Sequence, residues 1–253
     1  MRRFPWAVAV AVATMVAPPV LALDVCVEGT YPPFSDTLDD GTVVGFDIDI
    51  ARALCDRIGE SCEFLRTDWA RMIPSLVSGE CDAIIASMSD TPERRAFIDF
   101  TDRYYSAPVR FVGLAGAGLT DTPEALRGRM VGVQRGTVNQ VFMTVHYPGT
   151  LIKIYDNQEH VLLDLTLGRL DAVLGEAVQL DAGFLKTRAG RGYAFFGGEH
   201  FDPAIQGTGA AIGVRKADTD LRDRLSAAIA AIRADGTYDE IEARYFDFDI
   251  YGS

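Results

Sequence analysis

Apolar runs long enough to cross a membrane are missing from the 253-residue sequence beyond its first 22 residues. A membrane-spanning helix needs roughly 20 consecutive apolar residues, and no later segment approaches that length. Basic residues are also scarce relative to acidic ones, with 24 Lys and Arg against 36 Asp and Glu and a net charge of −12. Nucleic-acid phosphates need a basic surface, so we expect a soluble protein with no nucleic-acid partner.

The sequence also lacks the short motifs of several enzyme classes. It contains no serine nucleophile elbow, no paired zinc histidines and no phosphate-binding loop. Its four cysteines do not have metal-ligand spacing, and we expect neither a metal nor another cofactor. An enzyme built on this chain would need a carboxylate as general acid or base, for which Glu28 and Glu176 are the candidates.

The amino end has the pattern of a secretory signal peptide. Arg2 and Arg3 precede an apolar run over residues 6–16, and the small-residue exit Val20-Leu21-Ala22 follows. We predict that residues 1–22 are removed after Ala22 and that the mature protein is periplasmic. A sensor domain of a kinase or channel would need a membrane anchor, which this pattern does not supply.

Export permits disulfide bonds. Cys55 and Cys62 flank a short polar loop and are the expected pair. Closing so small a loop stabilises the fold by ~2 to 3 kcal/mol in the chain-entropy model. Cys26 and Cys81 lie at the edges of apolar runs, where we expect buried free thiols rather than a second bridge.

Strand-like runs alternate with helical ones through the chain. This alternation predicts an α/β fold with mostly parallel strands. The predicted strands cover residues 24–28, 63–66, 83–86, 130–133, 152–155 and 172–175, and the predicted helices cover 47–57, 69–78, 138–144, 158–167, 220–235 and 238–245.

One phrase occurs twice, as Leu-Val-Ser-Gly-Glu-Cys-Asp-Ala over residues 76–83 and Leu-Thr-Leu-Gly-Arg-Leu-Asp-Ala over 165–172. Each copy combines a helix end, a Gly cap and an acid that opens a buried strand. The repeat indicates two equivalent lobes, with connecting strands near Tyr105–Val109 and Pro203–Gly209. The predicted division is residues 23–107 for the first part of lobe 1, 108–205 for lobe 2, and 206–253 for the segment returning to lobe 1.

Polar residues follow several of the predicted strands, at the sheet edge where α/β proteins bind ligands. Ser87, Ser89 and Arg94 follow residues 83–86, and a helix start with a guanidinium predicts a carboxylate site. A capped helix with a surface arginine is the alternative. Thr137 follows residues 130–133 in a glycine turn, and Glu176 follows residues 172–175.

Glu28 and Tyr31 lie at the end of the first predicted strand, and Trp69 begins a helix beyond another strand end. Taken singly, these residues also fit an ordinary loop or core. Together with the residues above they predict a carboxylate site, two acids and two aromatic faces around one cleft. Such a cleft would receive a zwitterion with a cationic tail.

Motifs along the whole mature chain carry a family resemblance. They are Tyr31-Pro32-Pro33-Phe34, Gly45-Phe46-Asp47-Ile48-Asp49-Ile50, Ile73-Pro74-Ser75-Leu76, Arg129-Met130-Val131-Gly132-Val133, Arg233-Ala234-Asp235-Gly236-Thr237-Tyr238 and Tyr245-Phe246-Asp247-Phe248-Asp249-Ile250-Tyr251-Gly252. The chain resembles the periplasmic polar amino-acid-binding proteins of ABC importers, most of all the histidine- and lysine/arginine/ornithine-binding branch. The resemblance implies the type II periplasmic-binding fold, two α/β lobes joined by two crossover strands, with a membrane permease as partner. We expect a monomer.

The resemblance also implies individual roles. Arg94 matches the arginine that grips the ligand α-carboxylate, assisted by Ser89 and Thr137, while Ser87 and Glu176 fall where the family holds the α-ammonium. Glu28 matches the family acid that receives the cationic side chain of the ligand. Tyr31 and Trp69 match the two ring positions that sandwich the aliphatic stem of that side chain. The ligand is expected to dock on the first lobe before the second closes over it.

The sequence departs from that branch at four positions. Glu28 and Glu176 replace aspartates, Ala86 replaces a serine, and Gln134 replaces an apolar residue. The choice among lysine, arginine, ornithine and histidine therefore stays open. The acid and the two rings are also similar to opine-binding relatives, although Ser89 occupies room that an opine's extra carboxylate would need. A glutamine-type ligand or a dehydratase-like enzyme on this fold are further alternatives.

Overall fold

The computed structural model describes residues 22–252, so most of the predicted signal peptide, residues 1–21, lies outside the described residues. The strands, numbered along the chain, are β1 Ala22–Val27, β2 Thr30–Tyr31, β3 Ser35–Thr37, β4 Val43–Val44, β5 Ser61–Arg66, β6 Ala83–Ile84, β7 Asp99–Tyr105, β8 Val109–Leu114, β9 Met130–Gln134, β10 Leu151–Tyr155, β11 Ala172–Glu176, β12 Tyr193–His200 and β13 Ala210–Val214. The helices are α1 Phe46–Ile58, α2 Met72–Ser78, α3 Pro92–Arg95, α4 Val138–His146, α5 Gln158–Thr166, α6 Ala177–Leu180, α7 Pro203–Gln206, α8 Thr219–Ala234 and α9 Thr237–Glu242. A 3₁₀ turn, Trp69–Arg71, precedes α2, and a π-helical turn, Asp181–Leu185, follows α6.

The two main sheets share one topology. The first has the order β5-β1-β6-β13-β7 and the second the order β10-β9-β11-β8-β12. In each sheet three strands pair in parallel, and the remaining two pair antiparallel. Four of the five strands in each sheet therefore run in the same direction, as expected. The strand that runs the opposite way is β13 in the first sheet and β8 in the second, and each lies between two strands of the common direction.

The chain passes from the first sheet to the second between β7 and β8, and returns between β12 and β13. The prediction of two α/β lobes in a type II fold is confirmed. The second crossing is not the strand expected near Pro203–Gly209, because its first residues form α7. The Asp202 side chain accepts the Ala204 N–H at 3.0 Å, and Pro203 occupies the first helical position, where its missing N–H costs nothing.

The repeated phrase builds the same structure in both lobes. Gly79 and Gly168 adopt left-handed φ angles of 81° and 68° after α2 and α5. The aspartate after each turn then accepts a backbone N–H from the neighbouring parallel strand, Asp82 from Asp24 at 3.2 Å and Asp171 from Met130 at 2.8 Å. Both phrases therefore end a helix and attach the next strand to the sheet.

The last helices pack on the first lobe. Leu225, Ala228, Ile229 and Ile232 recur at helical spacing along α8 and are buried in the core that also contains α1. Burial of this apolar face stabilises the return of the chain across the second crossing. None of the helices between residues 22 and 252 combines the length and apolar character needed to cross a membrane.

Two disulfide bonds are present among the described residues. Cys55 and Cys62 are joined as expected. The expectation of free thiols at Cys26 and Cys81 is wrong, because these residues are also joined, with Cα atoms 5.8 Å apart. The two cysteines are 55 residues apart in sequence but belong to β1 and to the residues leading into β6, which are neighbours in the sheet.

Candidate ligand-binding cleft

One cavity lies between the two lobes, and all ten residues singled out in the sequence line it. They are Glu28, Tyr31, Trp69, Ala86, Ser87, Ser89, Arg94, Gln134, Thr137 and Glu176. The cavity is completed by residues that were not predicted to belong to the site, namely Tyr105, Ala107, Val109, Val138, Asn139, Phe201, Gln206, Gly209 and Ala210.

The convergence follows from the sheet topology. Glu28 comes directly after β1, and Ala86 and Ser87 follow β6 in the same sheet. Gln134 and Glu176 are the last residues of β9 and β11 in the second sheet. Because these strands are parallel within each sheet, their carboxyl ends face the same cleft from opposite sides.

Arg94 is the cation of the cavity. It lies in α3, which begins with a Thr91 cap and Pro92, and its side chain is buried. Its guanidinium donates to the carbonyl oxygens of Ser89 at 2.8 Å and Gly136 at 3.2 Å. Burial lowers the pKa of Arg94 to about 10, so it stays protonated at neutral pH. Within residues 22–252 no carboxylate lies at ion-pair distance from it, which leaves its charge available to an anionic ligand.

The start of α4 faces this arginine across the cleft. The Thr137 hydroxyl accepts the Gln140 N–H at 3.4 Å and donates to the Gln134 carbonyl at 2.8 Å, which fixes the first turn. The first N–H groups of an α-helix have no partner within the helix and carry partial positive charge. Arg94 and the α4 start therefore form one electropositive end of the cavity.

Trp69 stands beside Arg94 and joins the lobes. Its indole N–H donates to the Gly136 carbonyl of lobe 2 at 3.3 Å, and the Arg94 guanidinium lies 5.2 Å from its ring centroid. Tyr31 stacks on Phe34 with ring centroids 5.8 Å apart. These contacts fix both rings, and each presents an aromatic face to the cavity.

Glu28 is a buried acid that contacts the opposite lobe. The Gln134 amide donates to Glu28 Oε1 at 2.6 Å. Burial raises the pKa of Glu28 to about 7, and the negative charges of Asp68 and Asp47 add to the rise against the opposing effect of the Gln134 hydrogen bond. A cation placed beside this carboxylate would restore its ionised form.

Glu176 is the acid contributed by lobe 2. The Tyr105 hydroxyl donates to its Oε2 at 3.0 Å, while Oε1 is buried and has no hydrogen-bond partner among the described residues. Burial raises the pKa of Glu176 to about 8, with a further rise from the charge of Asp47. A buried carboxylate oxygen without a donor is suited to receive one from a ligand.

A third buried acid, Asp47, was not predicted to belong to the site. It opens α1, is fully buried, and accepts hydrogen bonds from the Tyr104 and Ser87 hydroxyls. Burial raises its pKa to about 7. The available signal was an acid on the buried, apolar face of a helix, because a buried carboxylate requires specific partners.

Comparisons with known proteins agree with this geometry. The chain is 42% identical to the L-arginine-binding protein of Pseudomonas aeruginosa over 229 residues, which cover 90% of this chain and 88% of that protein. It is 41% identical to the histidine-binding periplasmic protein of Escherichia coli over 225 residues, or 88% and 86% of the two chains.

A solved structure of an ancestral arginine-binding protein bound to arginine superposes with a TM-score of 0.82 at 34% identity, covering 89% of this chain and 98% of that one. The resemblance inferred from the motifs is confirmed, as is the prediction of an exported solute-binding protein. The sequence model of one protein family matches residues 23–248 of this chain. The chain belongs to that family, the bacterial extracellular solute-binding proteins, family 3.

Proposed function

We propose that this protein is the periplasmic receptor of an ABC importer for a basic L-amino acid. The observation that carries the proposal is the charge pattern of the cavity, where buried Glu28 and Glu176 accompany Arg94. One guanidinium matches one ligand carboxylate, and two carboxylates match two ligand cations. A basic amino acid has one anionic and two cationic groups, and the relatives named for arginine and histidine support that class.

The ligand is oriented by the two ends of the cavity. Its α-carboxylate binds Arg94 and the start of α4, in line with the preference of guanidinium groups and helix starts for carboxylates. Its α-ammonium donates to Glu176 Oε1 and the Ser87 hydroxyl. Its side-chain cation reaches Glu28.

The two aromatic side chains, Tyr31 and Trp69, cover the aliphatic part of the ligand. Rings lose little conformational freedom on binding and pack well against methylene groups. Charge-assisted hydrogen bonds contribute ~1.5 to 3 kcal/mol each, and a micromolar dissociation constant needs ~8 kcal/mol. Four or five such contacts are enough for micromolar binding after ordering costs.

Closure of the lobes completes the binding site. Arg94, Ser87 and Glu28 belong to the first lobe, and Thr137 and Glu176 to the second. A ligand that contacts both lobes stabilises their closed arrangement by its differential affinity for that arrangement. The membrane permease is the proposed partner of the closed form.

Calorimetric titration of ligand-stripped mature protein tests the proposal. The panel is L-arginine, L-lysine, L-ornithine, L-histidine, L-glutamine and an opine. We expect micromolar or tighter binding of a basic member and no binding of glutamine. Preference for glutamine or the opine would contradict the role of Glu28, and silence across the panel would contradict the receptor itself.

Arg94→Ala provides the matching variant. It should weaken binding of every ligand at least 100-fold, because the α-carboxylate is common to all of them. Arg95→Ala is the control, since Arg95 lies next to Arg94 but pairs with Asp90 and Asp99 and does not line the cavity. An Arg94→Ala protein with unchanged affinity would contradict the carboxylate assignment.

An enzyme is the second candidate, favoured by the raised pKa values of Glu28 and Glu176, about 7 and 8. Carboxyl groups that titrate near neutral pH are suited to general acid or base catalysis. Incubation with each panel compound followed by mass spectrometry separates the two functions. We expect every compound to be recovered unchanged, and any turnover abolished by Glu176→Gln would favour the enzyme.

A further inference from the structure

Asp47 occupies an unusual position for an acid. Its side chain is fully buried, and no basic residue lies at ion-pair distance from it within the described residues. Its two oxygens are divided between two hydroxyl groups, with Oδ1 2.9 Å from the Tyr104 hydroxyl and Oδ2 3.0 Å from Ser87 Oγ. A buried carboxylate that lacks an ion pair carries a desolvation cost, so its retention calls for a specific role.

The hydrogen bonds around Asp47 run in one direction. The Ser87 N–H donates to the Tyr104 hydroxyl oxygen at 2.9 Å, and that hydroxyl donates its single proton to Asp47. When Asp47 is ionised it can only accept hydrogen bonds, and the Ser87 hydroxyl then donates to it. The backbone of Ser87 is held at a φ of 52°, a left-handed conformation that is strained for a serine.

These contacts determine what Ser87 offers to the cavity. Because its hydroxyl proton is committed to Asp47, its oxygen has only lone pairs left for a ligand. Lone pairs attract an ammonium group, whereas a hydroxyl proton turned towards the cavity would repel it. The unpartnered Glu176 Oε1 supplies a second acceptor on the opposite lobe.

We infer that Asp47 is a positioning residue for the ligand α-ammonium, acting through Ser87 and Tyr104 without touching the ligand. The inference rests on the proposed function and assigns a role to a residue outside the cavity lining. It requires Asp47 and Ser87 to act as one unit, which makes it testable by the additivity of their substitutions.

Asp47→Asn reverses the hydrogen bond while keeping the shape of the side chain. An asparagine can still accept from Tyr104, but its amide group donates to Ser87 Oγ and turns the serine proton towards the ligand. We expect Asp47→Asn to weaken binding of L-arginine about tenfold or more. Ser87→Ala in the wild-type background should weaken it to a similar extent through the lost acceptor.

The deciding measurement is Ser87→Ala in the Asp47→Asn background, titrated with L-arginine or with the panel amino acid that binds wild type most tightly. There the second substitution should change affinity less than twofold, because the misdirected hydroxyl no longer helps. An equal loss in both backgrounds would overturn the inference, since a merely structural effect of Asp47→Asn would add to that of Ser87→Ala.

Thermal melts of the protein without amino acid verify that each variant is folded. If Asp47→Asn does not fold, Tyr104→Phe replaces it in the same cycle, and less than the full Ser87→Ala loss is again expected. Additivity there overturns the inference. Wild-type protein that binds no member of the panel overturns the proposed function and this role together, whereas binding with an additive cycle overturns only the role of Asp47.

Discussion

At the scale of single residues, burial is the main cause of the pKa values of the two acids that line the cleft. Burial raises the pKa of Glu28 to about 7 and that of Glu176 to about 8, which places both titrations within the physiological range. A raised pKa means that the protonated form is favoured below these values. A cationic ligand favours the ionised form and therefore competes with protons for both groups.

Binding of L-arginine should therefore weaken as the pH falls from 8 to 6. The guanidinium and α-ammonium of arginine keep their charges over this range, so the change would come from the protein. Each proton released on binding contributes up to about tenfold in affinity per pH unit. Titrations in two buffers with different ionisation enthalpies would count the protons released.

The Glu28→Gln variant separates the contributions of Glu28 and Glu176 to proton release. Its titrations should show weaker binding and should lack the proton release near pH 7, while the release due to Glu176 remains. An affinity for L-arginine that stays constant between pH 6 and 8 in wild-type protein would contradict the placement of ligand cations beside these carboxylates.

The sequence predicted the cavity lining better than the groups behind it. Arg94 and Glu176 are recognisable because polar residues directly after buried strands lie at a predictable edge of a sheet. Asp47 and Tyr104 behind the lining, and Tyr105 within it, were missed because their side chains lie among core residues. Their function depends on hydrogen bonds between residues up to 71 positions apart, as for Tyr105 and Glu176.

At the scale of secondary-structure elements, the two disulfides close loops of very different length. The Cys26–Cys81 bond spans 55 residues and ties β1 to the start of β6, whereas Cys55–Cys62 spans 7. In the chain-entropy model a cross-link stabilises the folded state by restricting the unfolded chain, and the effect grows with loop length.

Removing the disulfide that closes the longer loop should lower the free energy of unfolding by the larger amount. We expect the free energy of unfolding to fall by about 4 kcal/mol in Cys26→Ala/Cys81→Ala and by about 2.5 kcal/mol in Cys55→Ala/Cys62→Ala. Urea titrations of the two double variants measure the difference. Equal losses, or alkylation of denatured wild-type protein without reductant, would contradict the two-disulfide arrangement.

A second element-scale feature joins the lobes away from the cavity. Gly183 lies in the π-helical turn of lobe 2, where an added Cβ would stand 2.1 Å from the Pro32 carbonyl oxygen of lobe 1. The Gln179 amide donates to the same oxygen at 3.2 Å. This contact requires the lobes to approach closely at residues that do not line the cavity.

Gly183→Ala should therefore hinder closure without altering the cavity. We expect the affinity for L-arginine to fall about tenfold, while the melting temperature without amino acid stays near that of wild type. Gly198→Ala is the matched control in the same lobe, because the nearest atom to its added Cβ is 4.0 Å away. Wild-type affinity in Gly183→Ala would show that this contact does not limit closure.

The predicted elements were most accurate where local signals are strong. The periodic apolar residues and Gly59 cap define α1 close to its predicted bounds. The antiparallel strands β8, β12 and β13 were not predicted as strands, because pairing with distant partners rather than local alternation determines them. The helix α7 was missed because residues 203–209 were interpreted as a connecting strand.

At the scale of the whole molecule, several hydrogen bonds cross the cleft. Gln134 donates to Glu28, and both Trp69 and Arg94 donate to the Gly136 carbonyl. These contacts hold the lobes in a closed arrangement. Residues on the ligand-binding surface therefore also report the relative position of the lobes.

Closure should be visible in solution. Trp69 is the only tryptophan beyond the first 22 residues, so the fluorescence of the mature protein comes from the cleft. Saturating L-arginine should change the Trp69 emission and reduce the radius of gyration measured by X-ray scattering. Arg94→Ala protein at the same concentration should show neither change, and a compaction independent of Arg94 would contradict ligand-driven closure.

The two-lobed architecture was predictable because the repeated phrase around Gly79 and Gly168 marks equivalent turns. The order of strands beyond the parallel half was not, since the crossings bring the second lobe between two parts of the first. The family motifs supplied the type II topology that local patterns could not specify.

The two carboxyls that line the cavity, Glu28 and Glu176, have a consequence for the energetics of transport. Closing the lobes around no amino acid would remove Glu28 and Glu176 from water with no ligand cation beside them. That unloaded closed form would be rare, and a permease that recognises the closed form would seldom meet a receptor without cargo. Glu28 and Glu176, which bind the ligand cations, would in this way also limit ATP hydrolysis that transports no amino acid.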